Sequence, residues 1–299
     1  MASITSKAKA FVVSHDRLER PLRAALKRWR STSFVRTQGR RRLARTYFEA
    51  SLRRIDEWAP RRTENDNFYY DLTPRNRAYL AALIAAISGQ SVSVIEDFIQ
   101  ELADDQELRA HIAGILRRDA SLSDLEVGFG RREGWYAMVR LLKPATVVET
   151  GVHHGVGACV IGAALLRNAA EGRPGRYYGT DIDPTAGALF TGRYAAHGEI
   201  LYGDSIESLR SLSGPIDLFI NDSDHSAEYE AAEYEEIAPK LAHLSVVLGD
   251  NSHVTLALSD FARRRGRPFV FFGEEPSDHW YPGAGIGISP SAVPLGGLG

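Results

Sequence analysis

Residues 216–251 read IDLFINDSDHSAEYEAAEYEEIAPKLAHLSVVLGDN. Two short apolar runs flank a helix-like segment, and runs of this length predict buried strands. The first run leads into Asp222 and His225, and the second ends at Asp250 and Asn251. Neighbouring strands of a parallel sheet end at the same edge, so we expect Asp222 to face Asp250 and Asn251.

The polar side chains at this edge predict a site for a divalent cation. Asp222, Asp250 and Asn251 supply the carboxylate and amide oxygens that hard cations such as Mg²⁺ prefer. His225, three residues after the first carboxylate, is a candidate proton acceptor beside the ion. Simpler roles stay open, because His225 could cap the following helix and Asp250 with Asn251 could form an ordinary turn.

The helix between the two apolar runs is rich in glutamate. A run of charges of this kind is typical of a solvated helix face. Asp224 or Glu228 could instead replace one of the predicted metal ligands. The glutamates are Glu228, Glu230, Glu233, Glu235 and Glu236.

After residue 128, apolar runs alternate with helical segments, which predicts a doubly wound, mostly parallel, Rossmann-like α/β sheet. Seven strands are expected, and the glycines around Pro282 predict a turn before a last, antiparallel strand. The predicted strands are 146–150, 176–183, 199–204, 216–220, 246–248, 268–273 and 284–289, with helices at 158–167, 186–196, 206–212, 226–241 and 257–265.

The N-terminal region reads as helical throughout. Thr73 and Pro74 look like the start of a helix that stops at Gly89. We therefore divide the chain into a helical extension or lid at 1–127, an α/β domain at 128–290 and a flexible tail at 291–299. The predicted N-terminal helices are 18–30, 41–58, 74–88, 94–102 and 106–118, and a helix at 131–142 opens the α/β domain.

The charge of the chain is unevenly divided. Through Arg62 it has 17 Lys and Arg against 5 Asp and Glu, whereas the other residues have 19 against 33. A basic arm can mark binding to nucleic acid or to an anionic membrane. We favour a helical extension that docks on the acidic part of its own or a partner subunit, because no aromatic stacking platform accompanies the charges. We expect no nucleic-acid partner, and the N-terminal helices are candidates for a homo-oligomer interface.

The cysteine content and the hydropathy of the chain exclude several classes of protein. The single cysteine, Cys159, excludes an internal disulfide framework and a cysteine-based zinc cluster. No apolar run is long enough to cross a bilayer, and the N-terminus lacks the apolar core of a secretory signal. We therefore expect a soluble, cytoplasmic protein without a transmembrane segment.

A glycine-rich turn follows the first predicted strand. Gly151 and Gly155 would let the backbone approach a ligand and direct helix N-terminal amides towards it. The dinucleotide pattern GxGxxG would need glycine at position 153, where the chain has His153. Glu149 would repel a pyrophosphate but suits a cationic amino-acid ligand. These features disfavour an NAD-dependent oxidoreductase.

Carboxylates also end the second and third predicted strands. Asp181 could accept both hydroxyls of a ribose, because its two oxygens match two vicinal donors, while Asp183 is the better turn-former. Asp204, followed by Ser205, could meet an adenine amino group or could cap the next helix.

Five motifs in this order, ETGVHHG, TDIDP, GDS, FINDSDH and LGDN, resemble those of class I S-adenosylmethionine (SAM)-dependent methyltransferases. More narrowly, they are similar to the metal-dependent O-methyltransferases that include catechol, caffeoyl-CoA and macrolide-sugar enzymes. The resemblance covers residues 134–289. It implies that Asp222, Asp250 and Asn251 hold the metal and that His225 is the base. It also implies a SAM pocket formed by Glu149, Gly151, Gly155, Asp181, Asp204 and Ser205.

The implied reaction transfers the SAM methyl group to a hydroxyl of a small molecule, such as a natural-product sugar, a phenol or a polyketide. Mg²⁺ or another divalent cation would acidify and orient the hydroxyl, and His225 would take its proton. Two alternatives keep the fold: a hydroxylase or accessory protein of a biosynthetic pathway, and a non-catalytic SAM-binding module.

Overall fold

A computed structural model describes residues 19–30, 32–61, 69–119, 127–250 and 252–292. The chain divides into two compact units, 1–60 and 61–299. The first unit contains helices α1 (Glu19–Arg30) and α2 (Ser33–Trp58), which confirms its predicted helical character. No described side chain of α2 is buried within the chain.

The second unit begins with four helices, α3 (Pro74–Ser88), α4 (Val92–Ala103), α5 (Gln106–Leu116) and α6 (Arg132–Leu142). The side chain of Thr73 accepts a hydrogen bond from the backbone of α3, and Gly89 ends that helix at φ 75°, as predicted. Apolar residues of α3–α6 pack in the same hydrophobic core as residues of the sheet. These helices therefore belong to the same compact unit as the sheet, and the boundary between the two units lies after Pro60. A functional division near residue 127 stays a prediction.

The sheet has seven strands in the order β3-β2-β1-β4-β5-β7-β6. The first five strands run parallel, and β7 lies antiparallel between β5 and β6, which confirms the predicted doubly wound fold. The strands are β1 (Thr146–Thr150), β2 (Arg176–Asp181), β3 (Gly198–Tyr202), β4 (Ile216–Asn221), β5 (Leu241–Gly249), β6 (Val270–Gly273) and β7 (Gly285–Pro290).

The connections between strands carry helices α7 (Val156–Ala170), α8 (Ser205–Ser211), α9 (Ala227–Ile237) and α10 (Ala257–Arg264). The predicted helix at 186–196 is wrong, because only a short 3₁₀ turn (Gly192–Ala195) forms there. Gly187 has φ 78° and Gly192 has φ 59°, outside the helical region. The backbone N–H of Gly187 instead donates to the carbonyl of His153.

The carboxyl ends of β1, β4 and β5 lie level with one another. Thr150 pairs with Asn221, and Asn221 pairs with Gly249, so the next residues of each strand lie side by side. The backbone N–H of Asp250 donates to the carbonyl of Asn221 at 2.8 Å. The predicted juxtaposition of Asp222 with Asp250 is therefore confirmed.

Gly151 marks the point where the strand order reverses. It has φ 82°, and a Cβ atom there would lie 1.9 Å from the carbonyl oxygen of Asp222. Only glycine allows the β1 turn to approach the end of β4 this closely. A crevice at such a reversal is where open α/β sheets bind ligands.

In the described ranges, no helix combines the length and the apolarity that crossing a bilayer requires.

Candidate functional site

A cavity of about 640 Å³ opens at the carboxyl edge of the sheet, beside Gly151. It brings together the residues that follow four of the strands with residues from the N-terminus of α6. It is lined by Tyr69, Arg131, Arg132, Gly151, His153, Thr180, Asp181, Ile182, Gly203, Asp204, Ser205, Asp222, Ser223, Asp224 and Tyr229.

Asp181 lies in the cavity wall with its carboxylate held by backbone donors. Its Oδ2 accepts from the N–H of His153 at 2.8 Å, and its Oδ1 accepts from the N–H of Asp183 at 2.9 Å. A carboxylate has about four acceptor positions, so two remain for a ligand. Asp183 accepts from Thr185 in a turn, as expected. The proposed ribose-binding role of Asp181 stays a prediction.

Asp204 caps helix α8, which confirms one of its two predicted roles. Its Oδ1 accepts from the N–H of Glu207 at 3.0 Å, and its Oδ2 accepts from the hydroxyl of Tyr229 at 3.0 Å. Ser205 also contacts the Tyr229 hydroxyl, at 2.9 Å. Both residues line the cavity, so the cap and a ligand contact are compatible.

Glu233 is buried below the cavity floor and binds four donors. Its carboxylate accepts from Thr150 at 3.0 Å, from Ser223 at 2.8 Å, and from Ser205 and Asn221. Burial raises its pKa, because the charged form loses water. These bonds tie the ends of β1 and β4 to the start of α8.

The glutamate-rich helix is therefore only partly a solvated face. Glu230 and Glu233 are buried, whereas Glu228 is exposed. The spacing of Glu230, Glu233, Tyr234 and Ile237 follows one helix face, and this pattern could have identified the buried carboxylates.

Glu149 is fully buried behind the cavity and is not one of its lining residues. It accepts a hydrogen bond from the hydroxyl of Tyr177. Burial raises the pKa of the Glu149 carboxyl to about 7. Gly155 also lies outside the lining, packed against Gly187. Contact of Glu149 or Gly155 with a cofactor stays a prediction.

Asp250, predicted to bind a metal, forms a buried ion pair with Arg131. The Nε and Nη2 atoms of Arg131 donate to the two carboxylate oxygens of Asp250. Although burial opposes ionisation, Arg131 lowers the pKa of Asp250. Burial and the charge of Asp250 raise the pKa of Asp222 well above its usual range.

Arg131 is itself held by Glu274. The Oε1 atom of Glu274 accepts from the backbone N–H of Arg131 at 2.8 Å, and its Oε2 accepts from the Tyr70 hydroxyl at 2.9 Å. The connection that follows Glu274 is fixed to α3, because Asn76 donates to the carbonyl of Gly273 and accepts from the N–H of Glu275. Arg131 and Glu274 were missed from the sequence.

The described residues do not fit a magnesium ion. Both oxygens of Asp250 are bound by a guanidinium, and no group of three His, Cys, Asp or Glu side chains suited to a metal occurs in the described part of the chain. Asn251 lies outside the described residues. Asp224 accepts from the N–H of Ser226, and Glu228 is exposed, so neither completes a ligand set.

His225 lies between Asp222 and Glu230. Its Nε2 is 3.8 Å from the Oδ1 of Asp222, and its Nδ1 is 3.6 Å from the Oε1 of Glu230. The carboxylate of Glu230 raises the pKa of His225. Thr255 donates to the other oxygen of Glu230. The arrangement suits transfer of a proton from the region of Asp222, although the role of His225 as base stays a prediction.

Arg132 lies over aromatic rings at the cavity wall. Its guanidinium carbon is 5.4 Å from the ring centroids of both Tyr69 and Trp135. Its Nε is buried without a hydrogen-bond partner, and its positive charge acts on the carboxyl groups of Glu149, Asp222 and Asp250. The side chain of Trp135 is buried in the hydrophobic core. The side chain of Trp280, which follows β6 in the chain, is partly exposed. Arg132 thus places a hydrogen-bond donor without a partner in the wall of the cavity.

Comparisons with known proteins agree with this geometry. Residues 148–252 match the profile of a family described as a methyltransferase domain. No curated protein sequence matches the chain. A solved structure from Klebsiella pneumoniae, provisionally classed as an O-methyltransferase, is similar at 14% identity and a TM-score of 0.51, over 67% of this chain and 97% of that one.

Two further similar structures contain a bound cofactor or its product. The O-methyltransferase TomG from Streptomyces achromogenes, with SAM, has 15% identity and a TM-score of 0.49, over 64% of this chain and 92% of its own. The O-methyltransferase from Bacillus cereus, with SAH (S-adenosylhomocysteine), has 13% identity and a TM-score of 0.46, over 73% and 99%.

The matched residues span β1 to the end of β5, which are the strands that form the cavity edge. Residues 148–252 are thus similar to a methyltransferase domain. The fold of the chain is similar to that of the Klebsiella pneumoniae structure, a Rossmann-like methyltransferase fold.

Replacing Glu233 tests whether its four hydrogen bonds hold the strand ends together. Glu233→Gln turns part of the acceptor into a donor that faces other donors, so we expect the free energy of unfolding to fall by about 2–3 kcal/mol. Urea unfolding at pH 7 measures the change. The exposed Glu228→Gln on the same helix is the matched control, and an equal effect of both variants would contradict the role of Glu233.

Replacing Glu149 tests its raised pKa. The folded-state pKa of about 7 lies above the unfolded value of 4.5, so the stability contribution is fully present below pH 4.5 and is lost as the pH rises through 7. Relative to wild type, Glu149→Gln should therefore gain up to about 3 kcal/mol of stability between pH 4.5 and pH 7.5. Urea unfolding across this range measures the difference.

Tyr177→Phe is the companion variant for Glu149. It removes the hydrogen bond that lowers the pKa of Glu149, so the loss of stability with rising pH should become larger and extend to higher pH than in wild type. Parallel pH profiles for wild type and Glu149→Gln would show that Glu149 does not titrate in this range.

Proposed function

We propose that the protein transfers the methyl group of SAM to a hydroxyl oxygen of a small molecule. One observation carries the proposal: Asp181 and Asp222 line one cavity on either side of the Gly151 turn. The carboxylate of Asp181 would bind the ribose of SAM. The carboxylate of Asp222 would lie beside the acceptor hydroxyl and the methyl group of SAM. The methyltransferase-domain match supports the same reaction.

The nucleoside of SAM would bind along the ends of β2 and β3. Asp181 would accept the two ribose hydroxyls through its free acceptor positions. Ile182, which is exposed and lines the cavity, offers an apolar surface for the adenine, and Asp204 and Ser205 lie beside it.

The amino-acid end of SAM would point towards Arg132. The Nε of this guanidinium lacks a hydrogen-bond partner, so the SAM carboxylate would accept from it. Glu149 is the predicted partner of the SAM ammonium group, although its carboxyl lies behind the wall and is bound to Tyr177.

The chemical step follows from the placement of two groups. The acceptor oxygen attacks the methyl carbon, the O–CH₃ bond forms, and the S–CH₃ bond breaks with its electron pair going to sulfur, which leaves SAH. Alignment of the two reactants is the main contribution of a protein to such a reaction. The acceptor hydroxyl loses its proton, and His225 accepts it. The Nε2 of His225 lies 3.8 Å from the carboxylate of Asp222, beside which the acceptor would bind.

The class of acceptor stays a prediction: a natural-product sugar, a phenol or a polyketide. The cytoplasmic location and a homo-oligomer formed through α1 and α2 are predictions too. The resemblance also implies Mg²⁺, but no step is assigned to a metal here because Arg131 binds both oxygens of Asp250.

The cofactor orientation can be tested without an acceptor. Arg132→Met should weaken SAH binding by about 10- to 100-fold, which is the contribution of a charge-assisted hydrogen bond. Binding of methylthioadenosine, which lacks the amino-acid group, should not change. Asp181→Ala should instead weaken both ligands, because it acts on the ribose. Calorimetric titration measures all four affinities, and equal loss of both ligands in Arg132→Met would contradict the assignment.

The reaction itself is tested by transfer of a labelled methyl group from SAM to a panel of phenols, sugars and polyketide alcohols. His225→Ala should lower turnover by about 10²- to 10⁴-fold, the usual contribution of a general base, while the affinity for SAM stays the same. Thr255→Val, which alters only the partner of Glu230, is the matched milder variant. An unchanged rate in His225→Ala would remove it as the base.

A further inference from the structure

The guanidinium of Arg131 lies where the sequence places a divalent cation. It binds both carboxylate oxygens of Asp250 side-on, and it lines the same cavity as Asp222. Arg131 is only 8% exposed. The planar fork of arginine matches the two oxygens of a carboxylate, so the pair is specific in geometry as well as charge.

A second carboxylate, that of Glu274, also holds Arg131 in position. Glu274 accepts from the backbone N–H of Arg131 and lies 3.5 Å from its Nη1. Glu274 also accepts from the Tyr70 hydroxyl, which restricts the carboxylate. Arg131 therefore cannot leave Asp250 by a simple side-chain rotation, because its backbone and its guanidinium are both held.

A dication at the same place would have to displace this pair. Mg²⁺ requires carboxylate oxygens at about 2.1 Å in near-octahedral geometry, and a guanidinium already contacts both oxygens of Asp250. The displaced guanidinium would remain buried a few ångströms from a dication, where repulsion is weakly screened. Separating a buried ion pair leaves an uncompensated charge in the interior, which opposes metal entry.

We propose that Arg131 takes the place of the divalent cation, so that the site at Asp222 and Asp250 binds no metal. Its guanidinium supplies the positive charge at this edge of the cavity and fixes the carboxylate beside Asp222. In the methyl transfer proposed above, Arg131 is a positioning residue that acts through Asp250 and Asp222. This last role rests on the proposed function, whereas the exclusion of metal does not.

The experiment is a titration of the full chain with Mn²⁺ alone, read by the loss of the electron paramagnetic resonance signal of free Mn²⁺. Wild type should bind no Mn²⁺ with a Kd below about 1 mM. Arg131→Met frees both oxygens of Asp250 and should bind one Mn²⁺ at least about 10-fold more tightly than wild type. Arg131→Met/Asp250→Asn is the matched control, and it should lose that binding.

Two outcomes would overturn the proposal. One is stoichiometric binding of Mn²⁺ by wild type that Asp250→Asn abolishes. The other is a folded Arg131→Met protein that binds no more Mn²⁺ than wild type does. If Arg131→Met is too unstable for titration, its melting temperature replaces the titration: Mn²⁺ should raise the Tm of this variant and leave that of wild type unchanged, and equal shifts would overturn the proposal.

SAM titration in EDTA separates this result from the proposed function. Wild type that binds SAM but no Mn²⁺ supports both proposals. Wild type that binds neither overturns the methyltransferase proposal and leaves the exclusion of metal standing. Wild type that binds SAM only together with Mn²⁺ overturns the role of Arg131 and leaves methyl transfer standing.

Discussion

The close approach of two backbone segments, the turn at Gly151 and the carbonyl of Asp222, sets the geometry of the whole site. A Cβ atom at position 151 would lie 1.9 Å from that carbonyl, so the approach depends on a glycine in the left-handed region. The approach keeps the ends of β1 and β4 level. Because Asn221 then pairs with Gly249, the end of β5 is brought level as well.

Buried carboxylates stabilise this edge by collecting donors from several strands. Glu233 joins β1, β4 and α8 through four hydrogen bonds, and Glu274 joins α6 to Tyr70. Placing ionised groups in the interior is favourable only when their acceptor positions are filled. The polar residues that surround the cavity are therefore constrained by the fold as much as by any ligand.

The strands and the sheet edge that carries the site could be predicted from local patterns, because apolar runs and their polar ends are short-range signals. The carboxylates Asp181, Asp204 and Asp222 were identified in this way. Arg131 could not be identified, because it lies 119 residues from Asp250 in sequence and no local pattern records the pairing. The prediction of a helix at 186–196 failed for a different reason: the apolar spacing of this segment suits a helix, but Gly187 and Gly192 adopt positive φ.

The bonds of Asn76 have a consequence for motion. Asn76 joins α3 to both residues that flank Glu274, and the N–H of Thr73 donates to the carbonyl of Glu275 at 2.9 Å. The segment from Tyr70 to α3 is thus tied to the connection between β6 and β7. A displacement of that connection would carry the Glu274 carboxylate with it and so would reach Arg131 and Asp250.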